Sequence, residues 1–257
     1  MIVQMMTKSI WLVASFIWAL VPPAFAEGGF ALGATRIVMN EANRYGSVKV
    51  MNHSSQPLLI QSKVLPFYDK TKTAPFAVTP PVFRLEPHSD SIQRIVFLGG
   101  QLPSDRESVF TFVAVSAAPS SRPNSTTGGA VTARVPVSIG TAIKLFWRPT
   151  GLKTSQRQGM SGLQFGVQGP ESLRVINASP YNVTLLSLNV GEGKGQSVKF
   201  TASQDKPLRM LPPWSHYDYS LHVRPGMQVR WAAIDDLGGV EHFSGRVKQQ
   251  VQLTQSQ

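Results

Sequence analysis

Cysteine is absent from the chain, which excludes disulfide bonds, thiolate nucleophiles, zinc fingers and iron–sulfur sites. Charged residues are also scarce, at 15% of the 257 residues, where about a quarter is usual for a soluble protein. The hydrophobic share of 42% is still large enough to offset the entropy of ordering, so the chain is not disordered. Nor is the composition that of a coiled coil, which is rich in alanine, glutamate, lysine and leucine. This length predicts one large globular domain or two of ordinary size.

Acidic residues are few: 14 stand against 25 lysines and arginines, which leaves a formal net charge of +11. A positive charge of this size invites a nucleic-acid partner. The basic residues are scattered, however, and no named nucleic-acid-binding motif occurs. The sequence therefore favours a solvated, mildly basic surface and no nucleic-acid partner. The alternative is a small set of basic residues focused on one anionic partner.

Long hydrophobic runs are absent beyond the N-terminus. Residues 1–26 carry Lys8 as their only charge, an apolar stretch Ile10–Val21, and a small-x-small cleavage sequence at 24–26. This pattern is typical of a secretory signal peptide. An N-terminal membrane anchor is the alternative, but the apolar stretch is short for a span of ~20 residues. We expect cleavage to leave a soluble, exported chain that begins near Glu27. Loss of Lys8 alone lowers the net charge from +11 to +10.

Helical periodicity is almost absent after residue 27, and short stretches of period-two alternation recur instead. Many short strands separated by glycine, proline, asparagine and aspartate predict an all-β fold built from sandwiches. The glycine-rich segments Gly191–Gly195 and Asp235–Gly239 are predicted to be hairpin tips. The predicted strands are Ser47–Asn52, Leu58–Val64, Ile92–Phe97, Val109–Val115, Leu173–Ile176, Val183–Val190, Tyr217–Val223 and Gln228–Ile234.

A domain boundary is expected after Arg148, where a long β-rich run ends and a polar, glycine-containing segment follows. We predict a first domain over residues 27–148 and a second over residues 152–257. Each is close to the size of one immunoglobulin-like sandwich, about 100 residues.

Catalytic signatures are missing from the sequence. The five histidines form no HxH or HExxH pair, no GxSxG elbow occurs, and Gly191–Gly195 lacks the helix and Lys-Ser/Thr pair of a phosphate loop. We therefore predict no catalytic residue, no metal ligand and no cofactor. A secreted hydrolase on a β-sandwich, which needs convergent acid, base or metal ligands, is not supported.

The segment Val131–Arg148 carries the most information. Its first half alternates between an apolar and a mainly polar face, it is far longer than the usual ~5–6 residues, and Pro136 lies inside it. Because proline cannot donate to a ladder, this part is expected to be an edge or an irregular stretch. Two interpretations are open: the apolar face packs into its own domain's core, or the edge pairs with another protein's strand. The apolar positions of that half are Val131, Ala133, Val135, Val137 and Ile139.

Five motifs in matching order and spacing give the chain a resemblance to the periplasmic pilus-assembly chaperones, the PapD-like family, strongest over residues 30–150. In the second domain, the turn Asp235–Gly239 is similar to the family's Asn-Asp-Tyr-Gly turn. The five motifs are Ala34–Val38, Leu59–Ser62, Val78–Leu85, Gln101–Phe110 and Ile143–Pro149.

The resemblance implies two immunoglobulin-like β-sandwich domains in a boomerang arrangement. It also implies a non-enzymatic, periplasmic chaperone that binds fimbrial subunits and delivers them to an outer-membrane usher. A subunit lacks its last core strand, and the chaperone lends one by donor-strand complementation. By position, the lent strand is Val131–Ile139, and the five apolar residues of that strand are the expected donor residues, with Val135, Val137 and Ile139 foremost.

The resemblance also assigns roles to five charged residues. Arg36 and Lys144 match the pair that anchors the subunit's C-terminal carboxylate. Glu107, Arg148 and Asp236 match an ion network between the two domains, whose role is to hold the angle between them. Unrelated surface charges are the alternative for these three.

The sequence departs from the family pattern at two points. Pro136 removes one donor from the lent strand, so one main-chain bond to the subunit is expected to be missing. One branch of the family has a longer loop with a cysteine pair before that strand, and the absence of cysteine favours the short-loop branch. A two-domain adhesion or receptor module is the competing function, and it would lack the pair Arg36 and Lys144.

Overall fold

A computed structural model describes residues 29–69, 71–117, 138–191, 195–199 and 210–252. Within these ranges the chain forms strands and one short helix, α1 (Gln156–Ser161). The strands before the helix are β1 (Phe30–Leu32), β2 (Arg36–Asn40), β3 (Tyr45–Asn52), β4 (Leu58–Pro66), β5 (Phe76–Thr79), β6 (Val82–Leu85), β7 (Asp90–Phe97), β8 (Ser108–Ala117) and β9 (Ser138–Arg148). Those after it are β10 (Gln164–Gly169), β11 (Ser172–Asn177), β12 (Val183–Val190), β13 (Gln196–Lys199), β14 (Met210–Leu211), β15 (Ser215–Ser220), β16 (Gln228–Ile234) and β17 (Val240–Arg246).

The nine strands before the helix form two sheets around one core. One sheet has the order β1-β3-β7-β5 and the other β2-β9-β8-β4-β6. Alternation along the strands turns one side chain in two toward the space between the sheets. An aromatic cluster fills part of this space: the ring of Trp147 lies 4.0 Å from that of Phe97, and Phe76 lies 4.8 Å from Phe110.

The strands after the helix form a second pair of sheets with a separate core. One sheet has the order β10-β11-β15, and the other β13-β12-β16-β17 with β14 beside β12. Trp231 lies in this core, where its indole nitrogen donates to the Met160 carbonyl at 3.0 Å. Helix α1 begins with a capping box between Ser155 and Gln158. The prediction of an all-β protein built from two β-sandwiches is confirmed.

One predicted strand, Tyr217–Val223, is wrong at its end, because β15 stops at Ser220. Ser220 pairs with Ser172, the first residue of β11, so the ladder has no further partner beyond that point. Leu221 and Val223 continue into the core, and their amides bond singly to carbonyls of Glu171 and Pro170.

The turn between β16 and β17 bears directly on the site described below. Asp235 accepts hydrogen bonds from the amides of Leu237 and Gly239 through its Oδ1 atom, at 3.0 and 2.6 Å. Gly238 has a φ of +89°, in the left-handed region that favours glycine. This turn joins two antiparallel strands, as the sequence predicts. The strands on either side of Gly191–Gly195, β12 and β13, are also antiparallel, although residues 192–194 of that predicted tip lie outside the described residues. No helix in the described ranges is long and apolar enough to cross a membrane.

Candidate functional site

The two sides of strand β9 are paired over different lengths. Strand β8 pairs with β9 from Ser138 to Trp147, whereas β2 pairs with it only from Lys144 to Arg148. Among the described residues, no strand pairs with the other edge of residues 138–143. Such an edge presents backbone donors and acceptors that can pair with another chain.

Burial changes along β9. Leu145 and Trp147 lie in the core of the first sandwich, and Ile143 packs partly against it. Ile139, on the same face, is 51% exposed. The interpretation in which this face packs into its own domain therefore holds for the C-terminal half of the strand and not for Ile139. The other four expected donor residues, Val131, Ala133, Val135 and Val137, lie outside the described residues.

Two cations stand where the open edge ends. Arg36, the first residue of β2, is the register partner of Lys144 in the parallel pair β2–β9. Register partners project from the same face of a sheet, so both side chains leave the face opposite the core residue Leu145. Both residues are partly buried.

Each cation is held by groups from both sandwiches. Arg36 Nη1 donates to the Ile234 carbonyl at 3.0 Å, and its guanidinium lies 5.8 Å from the centre of the Phe146 ring. Lys144 Nζ donates to Thr184 Oγ1 at 3.1 Å and lies 5.9 Å from the centre of the Phe67 ring. Two cations this close together, flanked by aromatic faces, suit a single carboxylate: arginine offers a bidentate fork and lysine a point charge.

The other three predicted residues meet at Arg148. Its guanidinium donates to both carboxylate oxygens of Asp236, at 2.8 and 2.9 Å, and to Glu107 Oε1 at 2.8 and 3.2 Å. The Glu107 side chain is only 2% exposed. Its second oxygen accepts from the backbone and side-chain nitrogens of Asn182, both at 3.0 Å. The guanidinium also lies 4.9 Å from the centre of the Tyr181 ring.

The electrostatics of this network follow from its burial. Desolvation raises the pKa of Glu107, and the attraction of Arg148 offsets part of that rise. Burial works against the charged form of Arg148, but its bonds to Asp236 and Glu107 outweigh burial and raise the pKa of the guanidinium. Arg148 therefore stays charged at every working pH.

Sequence reasoning missed the groups that hold these charges. Thr184, the Ile234 carbonyl and Asn182 come from the second sandwich, far from their partners in sequence. A backbone carbonyl leaves no residue-type signal, and no motif distinguishes Thr184 from a core threonine. No group of three or more potential metal ligands occurs in the described part of the chain.

Two sandwiches are joined by the Arg148–Asp236 ion pair and by the bonds of Asn182 to Glu107. Together with an open strand edge that ends at a cation pair, they define a class of proteins able to take up another protein's strand. Family models identify the class. Residues 29–153 match the PapD N-terminal domain of pili and flagellar-assembly chaperones, and residues 158–244 match the PapD C-terminal domain of pili-assembly chaperones. The chain belongs to this family, and its function is that of a pilus-assembly chaperone.

Individual relatives agree. The chain is 34% identical over 239 residues to the probable fimbrial chaperone ElfD of Escherichia coli, covering 92% of both chains. It superposes on the DraB chaperone of E. coli with a TM-score of 0.69 at 31% identity, covering 86% of this chain and 97% of DraB. The structure of the Salmonella enterica SafB chaperone in complex with the SafA pilin gives a TM-score of 0.70 at 29% identity, with 87% and 98% covered. An adhesion or receptor module is not favoured, because both sandwiches match chaperone domains.

Proposed function

We propose that this chaperone binds a pilus subunit by pairing the open edge of β9 with a strand of the subunit, and that Arg36 and Lys144 grip the subunit's C-terminal carboxylate. The observation that carries the proposal is the coincidence of the two features: β2 closes the edge at the same register position where the two cations project. A strand that pairs along residues 138–143 has to stop there, because β2 occupies the next positions.

The position of the cations sets the direction of the incoming strand. Its C-terminus has to lie at the Lys144 end of β9, so the strand runs parallel to β9. A charged terminus is a fixed point, and gripping it sets the register of every residue before it. This matters because a slip of one residue would turn each side chain to the opposite face.

The donor residues would fill the subunit's incomplete core. Ile139 is exposed in the free chaperone. In the sequence, the alternation of apolar residues continues from it toward the N-terminus through Val137, Val135, Ala133 and Val131. Each large aliphatic side chain contributes about 1.5–3 kcal/mol gross on burial. The net contribution is smaller, because ordering the strand opposes it.

The network of Glu107, Arg148 and Asp236 would hold the two domains, residues 27–148 and 152–257, at one angle. Arg148 ends β9, while Asp236 lies in the β16–β17 turn, so their bidentate pair spans the two sandwiches. The role is structural: the guanidinium of Arg148 is bonded to both carboxylates, so this network offers no cation to the subunit's terminus.

The family is periplasmic, and residues 1–26 would serve as the cleaved export signal. The partners would be pilus subunits and the outer-membrane usher that receives them; the complex of SafB with the SafA pilin supports the first of these. We assign the chain no catalytic step and no cofactor.

Co-expression with the fibre subunit of its own gene cluster tests the proposal. Wild type should give a stable 1:1 periplasmic complex, and Arg36→Ala and Lys144→Ala should each lose it while the free chaperone stays folded. Arg94→Ala, an exposed cation of strand β7, is the matched control and should retain the complex. Retention of the subunit by both anchor variants would exclude the carboxylate role.

A further inference from the structure

The β16–β17 turn of the second sandwich contacts the segment that carries Arg36 at both of the turn's ends. At one end, the Ile234 carbonyl accepts a hydrogen bond from Arg36 Nη1 at 3.0 Å. At the other end, Gly238 lies against Thr35, the residue just before Arg36. Between them, Asp236 binds Arg148. The turn is thus in contact with the first sandwich at three points within five residues.

The contact between Gly238 and Thr35 leaves no room for a side chain at position 238. A Cβ atom built at this position would lie 2.4 Å from Thr35 Oγ1, closer than non-bonded atoms approach. Rotation of the Thr35 side chain relieves the clash in only one of its two other rotamers, because in the remaining one the methyl group takes the place of the hydroxyl. The left-handed φ of +89° adds a second requirement for glycine. A side chain here has to rotate Thr35 or push the turn away from it, and if the turn is displaced, the Ile234 carbonyl at its start moves as well.

Lys144 shows the same dependence by an independent contact. Its ammonium group donates to Thr184, a 3% exposed residue of β12 in the second sandwich. The polar heads of both cations are therefore oriented by groups of the second sandwich, although both residues belong to the first. The first sandwich supplies the charges, and the second supplies a hydrogen-bond acceptor for each of them.

We propose that Gly238 is a positioning residue for Arg36, because its missing side chain lets the β16–β17 turn seat against Thr35 and hold the guanidinium through the Ile234 carbonyl. This inference rests on the proposed carboxylate anchor and deepens it. The site for the subunit's terminus is then bipartite, and it is complete only when the turn of the second sandwich is seated.

The chain offers a matched control for this proposal. Gly226 has a φ of +86°, and nothing lies within 4 Å of a Cβ atom built on it. Gly226→Ala therefore introduces the same backbone strain as Gly238→Ala without the clash. Thr35→Ala removes the clashing hydroxyl and leaves only a Cβ atom at 3.6 Å, an ordinary contact, so the double variant Thr35→Ala/Gly238→Ala should restore the seating.

The test compares two forms of the co-expressed fibre subunit: one with its natural C-terminus and one extended by two glycines. The extension moves the carboxylate by about 7 Å, out of reach of the two cations. The preference for the natural end, measured as the ratio of the two captured amounts, reports on the anchor alone. General destabilisation of the chaperone lowers both amounts and leaves the ratio unchanged.

We expect wild type and Gly226→Ala to prefer the natural end by about tenfold or more. A tenfold ratio corresponds to a difference of about 1.4 kcal/mol in binding free energy. Gly238→Ala should bring the ratio close to one, and the double variant should recover most of it. A full preference in Gly238→Ala would overturn the positioning role while leaving the anchor intact. A wild type without preference would overturn the anchor itself, and the positioning role with it.

Discussion

Arg36 and Lys144, 108 positions apart in sequence, lie directly opposite each other in the parallel pairing of β2 with β9. Strand β2 pairs with only the last five residues of β9, and Lys144 is the first of these five. The remainder of the strand keeps one edge open, and the cation pair marks its end. The shortness of β2 thus leaves the edge of residues 138–143 open, and in the proposed complex it also sets the point at which the incoming strand stops.

Replacing Ile139, the exposed residue proposed to enter the subunit's core, should separate binding from stability. Ile139→Asp should abolish subunit capture with little change in melting temperature, because Ile139 is 51% exposed in the free protein. Leu145→Ala, at a fully buried position on the same strand face, should instead cost about 2–5 kcal/mol of unfolding free energy. Val137 lies two positions before Ile139, on the same predicted face of the alternating segment, so Val137→Asp should behave like Ile139→Asp. A large loss of stability in Ile139→Asp would support the interpretation in which that face belongs to the chaperone's own core.

The hydroxyl of Thr184 should matter for capture. Thr184→Val keeps the volume and removes the acceptor of the Lys144 bond, so we expect a several-fold loss of captured subunit with the fold intact. Thr184→Ser keeps the acceptor and should bind nearly as well as wild type. Equal capture by the valine and serine variants would show that this bond does not orient Lys144. Co-purification and thermal melts measure the two quantities.

The buried carboxylate of Glu107 should be a large contributor to stability. Glu107→Ala leaves Arg148 and the Asn182 nitrogens without that acceptor in a buried place, and such a loss typically costs about 3–5 kcal/mol. Arg84→Ala is the control, since its pair with Glu86 is exposed and should be worth less than about 1 kcal/mol. Urea unfolding measures both, and equal effects would contradict the structural role of the network.

The pH dependence of stability should carry the signature of the same residue. Burial raises the pKa of Glu107 above its usual value of 4.5. A carboxyl group with a raised pKa binds its proton more tightly in the folded chain, so its contribution is greatest at low pH and is lost as the pH rises through the window above 4.5. The stability advantage of wild type over Glu107→Gln should therefore shrink from pH 4 to pH 7 in chemical denaturation. An advantage that grows over this range would mean that the pKa is lowered instead.

Much of the fold could be predicted from alternation alone, because sandwich strands with one buried face repeat every two residues. The predicted strand Val183–Val190 agrees with β12 residue for residue. The end of Tyr217–Val223 could not be predicted in this way, because it depends on where the partner strand β11 begins. The alternation of residues within one strand does not reveal where the neighbouring strand begins or ends.

The site was less accessible to such reasoning. No spacing rule connects residues this far apart, so only the family resemblance predicts the proposed roles of Arg36, Lys144, Glu107, Arg148 and Asp236. The groups that orient them were not found at all. In the sequence, Gly238 is indistinguishable from any other turn glycine, and only its close approach to Thr35 in the structure indicates a positioning role.

The most direct test of the central claim is amide hydrogen exchange along residues 138–143 in the free chaperone and in the purified complex with its subunit. The account predicts that amides on the edge not paired with β8 exchange quickly in the free protein and slow by roughly 100-fold or more in the complex, as new ladder bonds form. Unchanged exchange at these amides in a stable complex would show that the subunit binds elsewhere and would contradict the account.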